Sequence, residues 1–180
     1  MTAQDLALAL VSTIHHDVDD LATPADFATW VRAHSSVRDA GDADAQRRVI
    51  ALRDAVRSLF ARAVGPDGPD VSDAVRVLNE AAGGVARTAQ LTWTRHGRPE
   101  VTHHESGTPA DRLVAELARA SIDFLAGPRR ERLRACPAPR CVRYFVREHP
   151  RQQWCTPECG NRARVSRYYQ RQRRNGLSPG

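Results

Sequence analysis

The only four cysteines of this 180-residue chain fall in two close pairs, Cys136-x4-Cys141 and Cys155-x3-Cys159, with thirteen residues between them. Thiolate sulfur is a preferred zinc ligand, held tetrahedrally at about 2.3 Å in structural sites. Two short-spaced pairs, each on a tight turn, can set four sulfurs at such corners with little strain. Pro137 and Pro139 stiffen the first turn, and Thr156-Pro157-Glu158 bends the chain so that Cys159 can lie at a helix start. The expectation is a structural Zn2+ on Cys136, Cys141, Cys155 and Cys159. Two alternatives compete. Disulfides would need export, and the first residues carry no basic, apolar signal segment. A catalytic zinc would need an open position, with His149 in the loop as a further ligand.

A piece of about 40 residues rarely builds a sufficient apolar core and needs a metal or crosslinks. Val142 to Val146 reads as a strand, Arg147 to Gln153 as a turn back, and Trp154-Cys155 as the return. With the helix after Cys159, that is the knuckle, hairpin and helix order of a treble clef. Val142, Tyr144, Phe145, Val146 and Trp154 are the expected mini-core around the metal. Gly160 should permit close backbone packing, and Asn161 should tie the helix start to the knuckle.

The helix beyond carries the expected functional surface. Arg164, Arg167, Arg171 and Arg174 recur at spacings of 3, 4 and 3, a stripe about 80° wide on a helix. Val165 and Tyr169 fall on another side and should face the mini-core, while Tyr168 borders the stripe. Such guanidinium groups can track phosphates or read guanine in a major groove. Arg162 either braces a loop carbonyl or touches a phosphate. The candidate nucleic-acid-binding residues are therefore Arg162, Arg164, Arg167, Tyr168, Arg171 and Arg174. On a merely solvated helix, like charges this dense would be destabilising without a counterpart.

Charge placement supports a polyanion partner. Residues 129–180 hold 14 arginines and three acids, net +11, whereas residues 1–128 hold 13 arginines and 18 acids, net −5. A basic end on an acidic body points first to nucleic acid. All 27 basic residues are arginine. The chain is 41% hydrophobic and 27% charged, as expected of a folded, water-soluble protein. No run of apolar residues is long enough for a membrane span. Four reduced thiols suit a cytoplasmic location.

The elements that position the module read mainly as helices. Residues 4–14 form a short apolar run whose alanines favour helix. Thr23-Pro24-Ala25-Asp26 is a capped helix start followed by Phe27, Trp30 and Val31. Gly41-Asp42 opens a long helix with the stripe Val49, Leu52, Val56, Leu59, Phe60 and Ala63, ending at Gly65-Pro66. Val71 to Ala82 is amphipathic through Val71, Val75 and Leu78 and stops at Gly83-Gly84. Ala89 to Trp93 and Glu100 to His104 suggest a hairpin. Thr108-Pro109-Ala110-Asp111 repeats the capped start, and its helix runs through Leu113, Leu117, Ala120, Ile122 and Phe124 to Gly127-Pro128. The expected fold is mainly α with a small β-hairpin: a helical domain over 1–128 and a treble-clef-like finger over 129–180.

The string Trp154-Cys155-Thr156-Pro157-Glu158-Cys159-Gly160-Asn161-Arg162 resembles the CGNR zinc-finger family. Cys136-Pro137-Ala138-Pro139-Arg140-Cys141 is similar to that family's first knuckle. Residues 4–126 resemble the ABATE domain, a stress-induced transcription regulator domain that usually precedes this finger. The similarity lies in Leu10-Val11-Ser12-Thr13, Asp26-Phe27-Ala28-Thr29-Trp30, Ile50 to Arg57 and Val77-Leu78-Asn79; Ser12 stands where the family often has Asn. The resemblance implies zinc binding, DNA binding and transcriptional regulation in a bacterial-type protein, and no reaction.

Other clusters are less specific. His15-His16-Asp17 with Asp19 and Asp20 matches no metal motif and reads as a polar loop. His103 and His104 point to opposite faces of a strand. No Gly-x-Ser-x-Gly elbow, Walker loop or dinucleotide motif is present, so no catalytic residue is assigned and no enzyme is expected. Trp30 and Trp93 read as core, or as the lining of an effector pocket. The sequence reading is a zinc- and DNA-binding transcription regulator whose N-terminal domain senses a small-molecule effector or forms a homodimer. The alternative is a protein- or RNA-interaction adaptor.

Overall fold

A computed structural model describes residues 3–37, 39–65 and 68–176, with side chains from Gln4 to Arg173. The helices are α1 (Ala3–Val11), α2 (Pro24–His34), α3 (Ala43–Val64), α4 (Ser72–Gly83), α5 (Pro109–Ala126) and α6 (Pro157–Gly176). The strands form three antiparallel pairs: β1 (Ile14–His15) with β2 (Val18–Asp19), β3 (Arg87–Thr92) with β4 (Glu100–Glu105), and β5 (Leu133–Ala135) with β6 (Tyr144–Val146). The mainly helical class and the hairpin match the sequence expectation.

The capped starts behave as their chemistry dictates. Thr23 accepts from the Asp26 amide at 3.2 Å, and Asp42 from the Ala45 amide at 2.7 Å. Thr108 and Asp111 form a reciprocal capping box ahead of α5. α5 lies at the centre and packs against α1, α3 and α4. Phe60 of α3 stacks on Phe124 of α5 with centroids 5.0 Å apart. On α4 the buried residues are Ala74 and Leu78, whereas Val75 is exposed, so the expected stripe is displaced by one residue.

The core does not stop at the end of α5. A 3-10 turn, Pro128–Arg132, leads into β5, and Leu133 and Val146 are buried in the same apolar cluster as the helices. Phe60 meets the Tyr144 ring edge-on at 5.6 Å. The strand pair that carries the first cysteine pair is thus rooted in the helical body.

Candidate metal centre and basic helix

β5 and β6 pair in the register Leu133↔Val146 and Ala135↔Tyr144. The Cys136 amide extends that ladder by donating to the Arg143 carbonyl at 2.9 Å. Cys136 and Cys141 therefore sit in the loop that joins the two strands. Within it, the Cys141 amide donates to Ala138 O at 3.0 Å, and Arg140 takes φ 61° to close the turn. This differs from the sequence expectation, in which β6 returned along Trp154-Cys155. Its partner is instead Leu133–Ala135, and Trp154-Cys155 forms no strand.

The second pair sits at the root of α6. Thr156 accepts from the Cys159 amide at 3.4 Å, and Pro157 occupies the first helical position. Gly160 has a specific steric role: a Cβ there would lie 3.0 Å from Cδ1 of Trp154. The bare backbone lets the indole lie against the helix.

The four sulfurs converge. Cys141 to Cys155 is 3.7 Å, Cys155 to Cys159 is 3.5 Å and Cys159 to Cys141 is 3.7 Å. With Cys136 included, all four lie within 4.8 Å of one another. A tetrahedron of sulfurs about 2.3 Å from one ion has edges of roughly 3.8 Å. A disulfide needs about 2.05 Å, and all four cysteines are free. The donor set fits one thiophilic tetrahedral cation. Burial pushes the Cys155 thiol well above its ordinary range, and crowding by Cys159 and Cys136 adds to this. Burial also raises Cys141. At Cys159 burial acts in the same upward direction, but hydrogen bonds involving Cys155 and Thr156 reverse it, and the thiol lies low overall. Four such sulfurs can ionise together only around a cation.

The expected mini-core divides in two. Phe145 packs with Cys136, Ala138, Cys159 and Trp154. Tyr144 and Val146 turn instead into the helical core, and Val142 is exposed. Alternation along a strand sends neighbours to opposite faces, so one three-residue strand serves both cores.

α6 is held only at its root. Cys159, Gly160 and Ala163 are buried, and none of the described side chains after Ala163 is. Arg164, Arg167 and Arg171 are exposed. Arg164 donates to Asn161 Oδ1, so Asn161 steadies an arginine rather than the knuckle. Arg167 lies 6.0 Å from the Trp154 ring centroid. Val165, Tyr168 and Tyr169 are 55%, 59% and 63% exposed, so the expected packing of Val165 and Tyr169 on the mini-core does not occur. The backbone of Arg174 belongs to α6, and its side chain lies outside the described residues.

Arg162 reaches along the surface toward the β1–β2 turn. It donates to the Pro139 carbonyl at 3.3 Å, and its two terminal nitrogens meet His16 Nδ1 and Nε2 at 2.8 and 2.9 Å. Beside it Arg140 pairs with Asp17 at 2.8 Å. The His15–Asp20 string is thus the β1–β2 turn that abuts the metal knuckle. Arg53, 3% exposed, anchors that turn from below through Asp19 at 2.6 Å and Thr13 at 3.3 Å. Arg57 links Val11 O at 2.7 Å with Val142 O at 3.0 Å. Partners so far apart in sequence leave no local signal, and neither Arg53 nor Arg57 stands out from the helical pattern.

The helical body also holds a polar cleft of about 620 Å3, lined by His34, Ser36, Arg87, Arg112, Glu116 and Arg119 among others. Ser35 and Ser36 both donate to Glu116. Trp30 is buried beside a second, smaller cleft, whereas Trp93 is 71% exposed and belongs to no core. None of the helices of the described residues is long and apolar enough to cross a membrane.

A four-thiol knuckle carrying a basic helix on a helical body defines a metal-finger class of protein. The chain belongs to the ABATE family, described as "putative stress-induced transcription regulator", which matches residues 4–128. The CGNR zinc finger matches residues 132–172. No curated protein matches the chain.

Proposed function

We propose that the protein is a DNA-binding transcription regulator in which Zn2+ on Cys136, Cys141, Cys155 and Cys159 fixes the root of α6. The observation that carries this reading is the free-standing helix with Arg164, Arg167 and Arg171 exposed along one stripe. Zinc would do no chemistry; it would hold two turns in register. The DNA contacts fall to Arg164, Arg167 and Arg171, with Arg174 continuing the stripe. Arg162 would act as a brace. In this reading residues 1–128 sense or assemble, and 129–180 bind.

Replacing Arg164, Arg167 and Arg171 together should weaken duplex binding about 10²–10³-fold, taking roughly one decade per charge-assisted contact. The log–log salt slope should become shallower by about 0.9 for each lost phosphate contact. Zinc content should stay unchanged. Wild-type affinity in that triple variant refutes the reading. The exposed Tyr168 and Tyr169 favour a second reading, an RNA adaptor that stacks unpaired bases on these rings. Preference for single-stranded RNA over duplex DNA, lost in a Tyr168→Ala/Tyr169→Ala variant, would select it.

A further inference from the structure

The β3–β4 hairpin is an arm held to α5 only at its base, where Glu105 pairs with Arg119 at 2.5 Å, and otherwise uncovered by the described residues. Every residue of β3 is exposed, as is every residue of β4 except Glu105. Its two faces differ sharply. The register sets Leu91 opposite Val101 and Ala89 opposite His103, with Trp93 following on the same face. Thr88, Gln90, Thr92, Glu100, Thr102 and His104 occupy the other face, where His104 bonds Gln90 at 2.8 Å. Leu91, Trp93 and Val101 are 63%, 71% and 58% exposed. A two-stranded hairpin is marginal in water unless one face is packed. Here Leu91, Trp93 and Val101 have no cover from the described residues of the arm's own body.

We propose that this arm docks on a second copy of the chain, its apolar face lying across the acidic helical body of the partner, with the partner's arm returning the contact. Two properties select that occupant. The first is charge. The arm, residues 87–105, is net +1, with Arg95 and Arg98 in a tip free of acids, while the rest of residues 1–128 is net −6. A basic arm repels another basic arm and attracts a second acidic body. The second is area. At about 200 Å2 for a tryptophan and less for leucine and valine, the three side chains leave on the order of 350 Å2 of apolar surface open. Arm against arm would fall short of the roughly 800 Å2 per partner of a stable interface. Two reciprocal arm-on-body contacts bury about 700 Å2 per partner, since each arm also covers a similar patch of body, and that lies within the range of stable interfaces. The same operator closes the pair as a two-fold dimer.

The full-length, metal-loaded protein should sediment as a dimer whose dissociation is seen on dilution. Leu91→Ser/Val101→Ser should make it monomeric without altering its helical circular dichroism, since the arm lies outside the core. Arg95→Glu/Arg98→Glu should weaken the dimer in a salt-dependent way and leave the fold intact. Trp93 is the one strongly exposed tryptophan, so dimer formation should shift emission to the blue. Trp93→Phe should keep the dimer and lose the shift. A monomer at all concentrations up to submillimolar, a dimer unaffected by both double variants, or an arm that instead saturates with a small ligand or nucleic acid as a monomer overturns the proposal.

Discussion

Removing the metal should melt one part of this protein and leave the rest standing. The cysteine cluster packs only Phe145 and Trp154 as large apolar side chains around it. Structural zinc supplies apparent free energies of about 10–16 kcal/mol in modules of this type, so those two residues cannot replace it. Helices in proteins draw most of their stability from tertiary packing of an apolar face, α6 packs only at its root, and its arginines repel one another. α6 should therefore unfold when the thiolates lose their ion. α6 has 20 of the residues in the six helices, whose other lengths are 9, 11, 22, 12 and 18. Its loss should remove roughly a fifth of the helical ellipticity. β5 and β6 should survive in part, because Leu133, Tyr144 and Val146 are held by the helical core rather than by the cluster. The assay is a chelator titration under reducing conditions, following ellipticity, thiol accessibility and duplex binding together. All three should change at one equivalent of metal released, and the cooperative melting of the body should persist. Cobalt should restore the helix with the absorption of a tetrahedral thiolate centre. An ellipticity unchanged after stoichiometric metal loss refutes the reasoning, and so does collapse of the whole protein.

Arg53→Ala should destabilise by about 3 kcal/mol, the lower end for breaking a buried pair, because Asp19 can regain water. That corresponds to roughly 6–12 °C in melting temperature for a chain of this size, and a thermal melt unchanged within error would show that the pair carries no weight. Asp111, held down to about 2 by hydrogen bonds from the Thr108 side chain and backbone and by Arg48, makes a pH-dependent contribution. Its folded value lies below the ordinary 3.8, so the stabilisation is present above about pH 4 and is lost as pH falls toward 2. The melting-temperature gap between wild type and Asp111→Asn should therefore close over that window, and a constant gap would contradict the assignment.

What could be read from the sequence was what rests on local chemistry. Thr23-Pro24, Asp42 and Thr108-Pro109 start helices because a side-chain oxygen and a fixed φ act within one turn. The cysteine pairs carry their ligand geometry in their spacing. The failures share a different cause. Tyr144, Phe145 and Val146 read as one mini-core, yet a strand has two faces, and the second core lies some 85 residues back at Arg57 and Phe60. Val165 and Tyr169 look like buried residues on the side of α6 away from the arginines, but α6 has no packed neighbour beyond its second turn and both are exposed. Trp93 reads as core by type and stands in water because the arm projects. Packing at long range decided each of these, and periodicity does not encode it.

The same long-range packing bears on how such a regulator could respond. A finger on a flexible linker would present its helix at any angle, and nothing bound by the body would reach it. Here β6 contributes Tyr144 and Val146 to the body and Phe145 to the metal knuckle. Arg57 ties α1 to the chain just past Cys141, and the β1–β2 turn meets Arg162 one turn beyond Cys159. Both ends of the knuckle are thus gripped by α1, α3 and the turn that Arg53 holds. The β6 root is packed in the helical core, where displacement is transmitted rather than absorbed, while the Arg57 and Arg162 links lie at the surface. If α3 or the β1–β2 turn shifted and these contacts held, the root of α6 would be re-aimed, and over the ~20 Å of helix beyond Ala163 a small rotation at the root would become a displacement of several ångströms at the arginines. In a dimer joined through the body, that lever would set the separation of two basic helices, the quantity that half-site spacing on DNA reads.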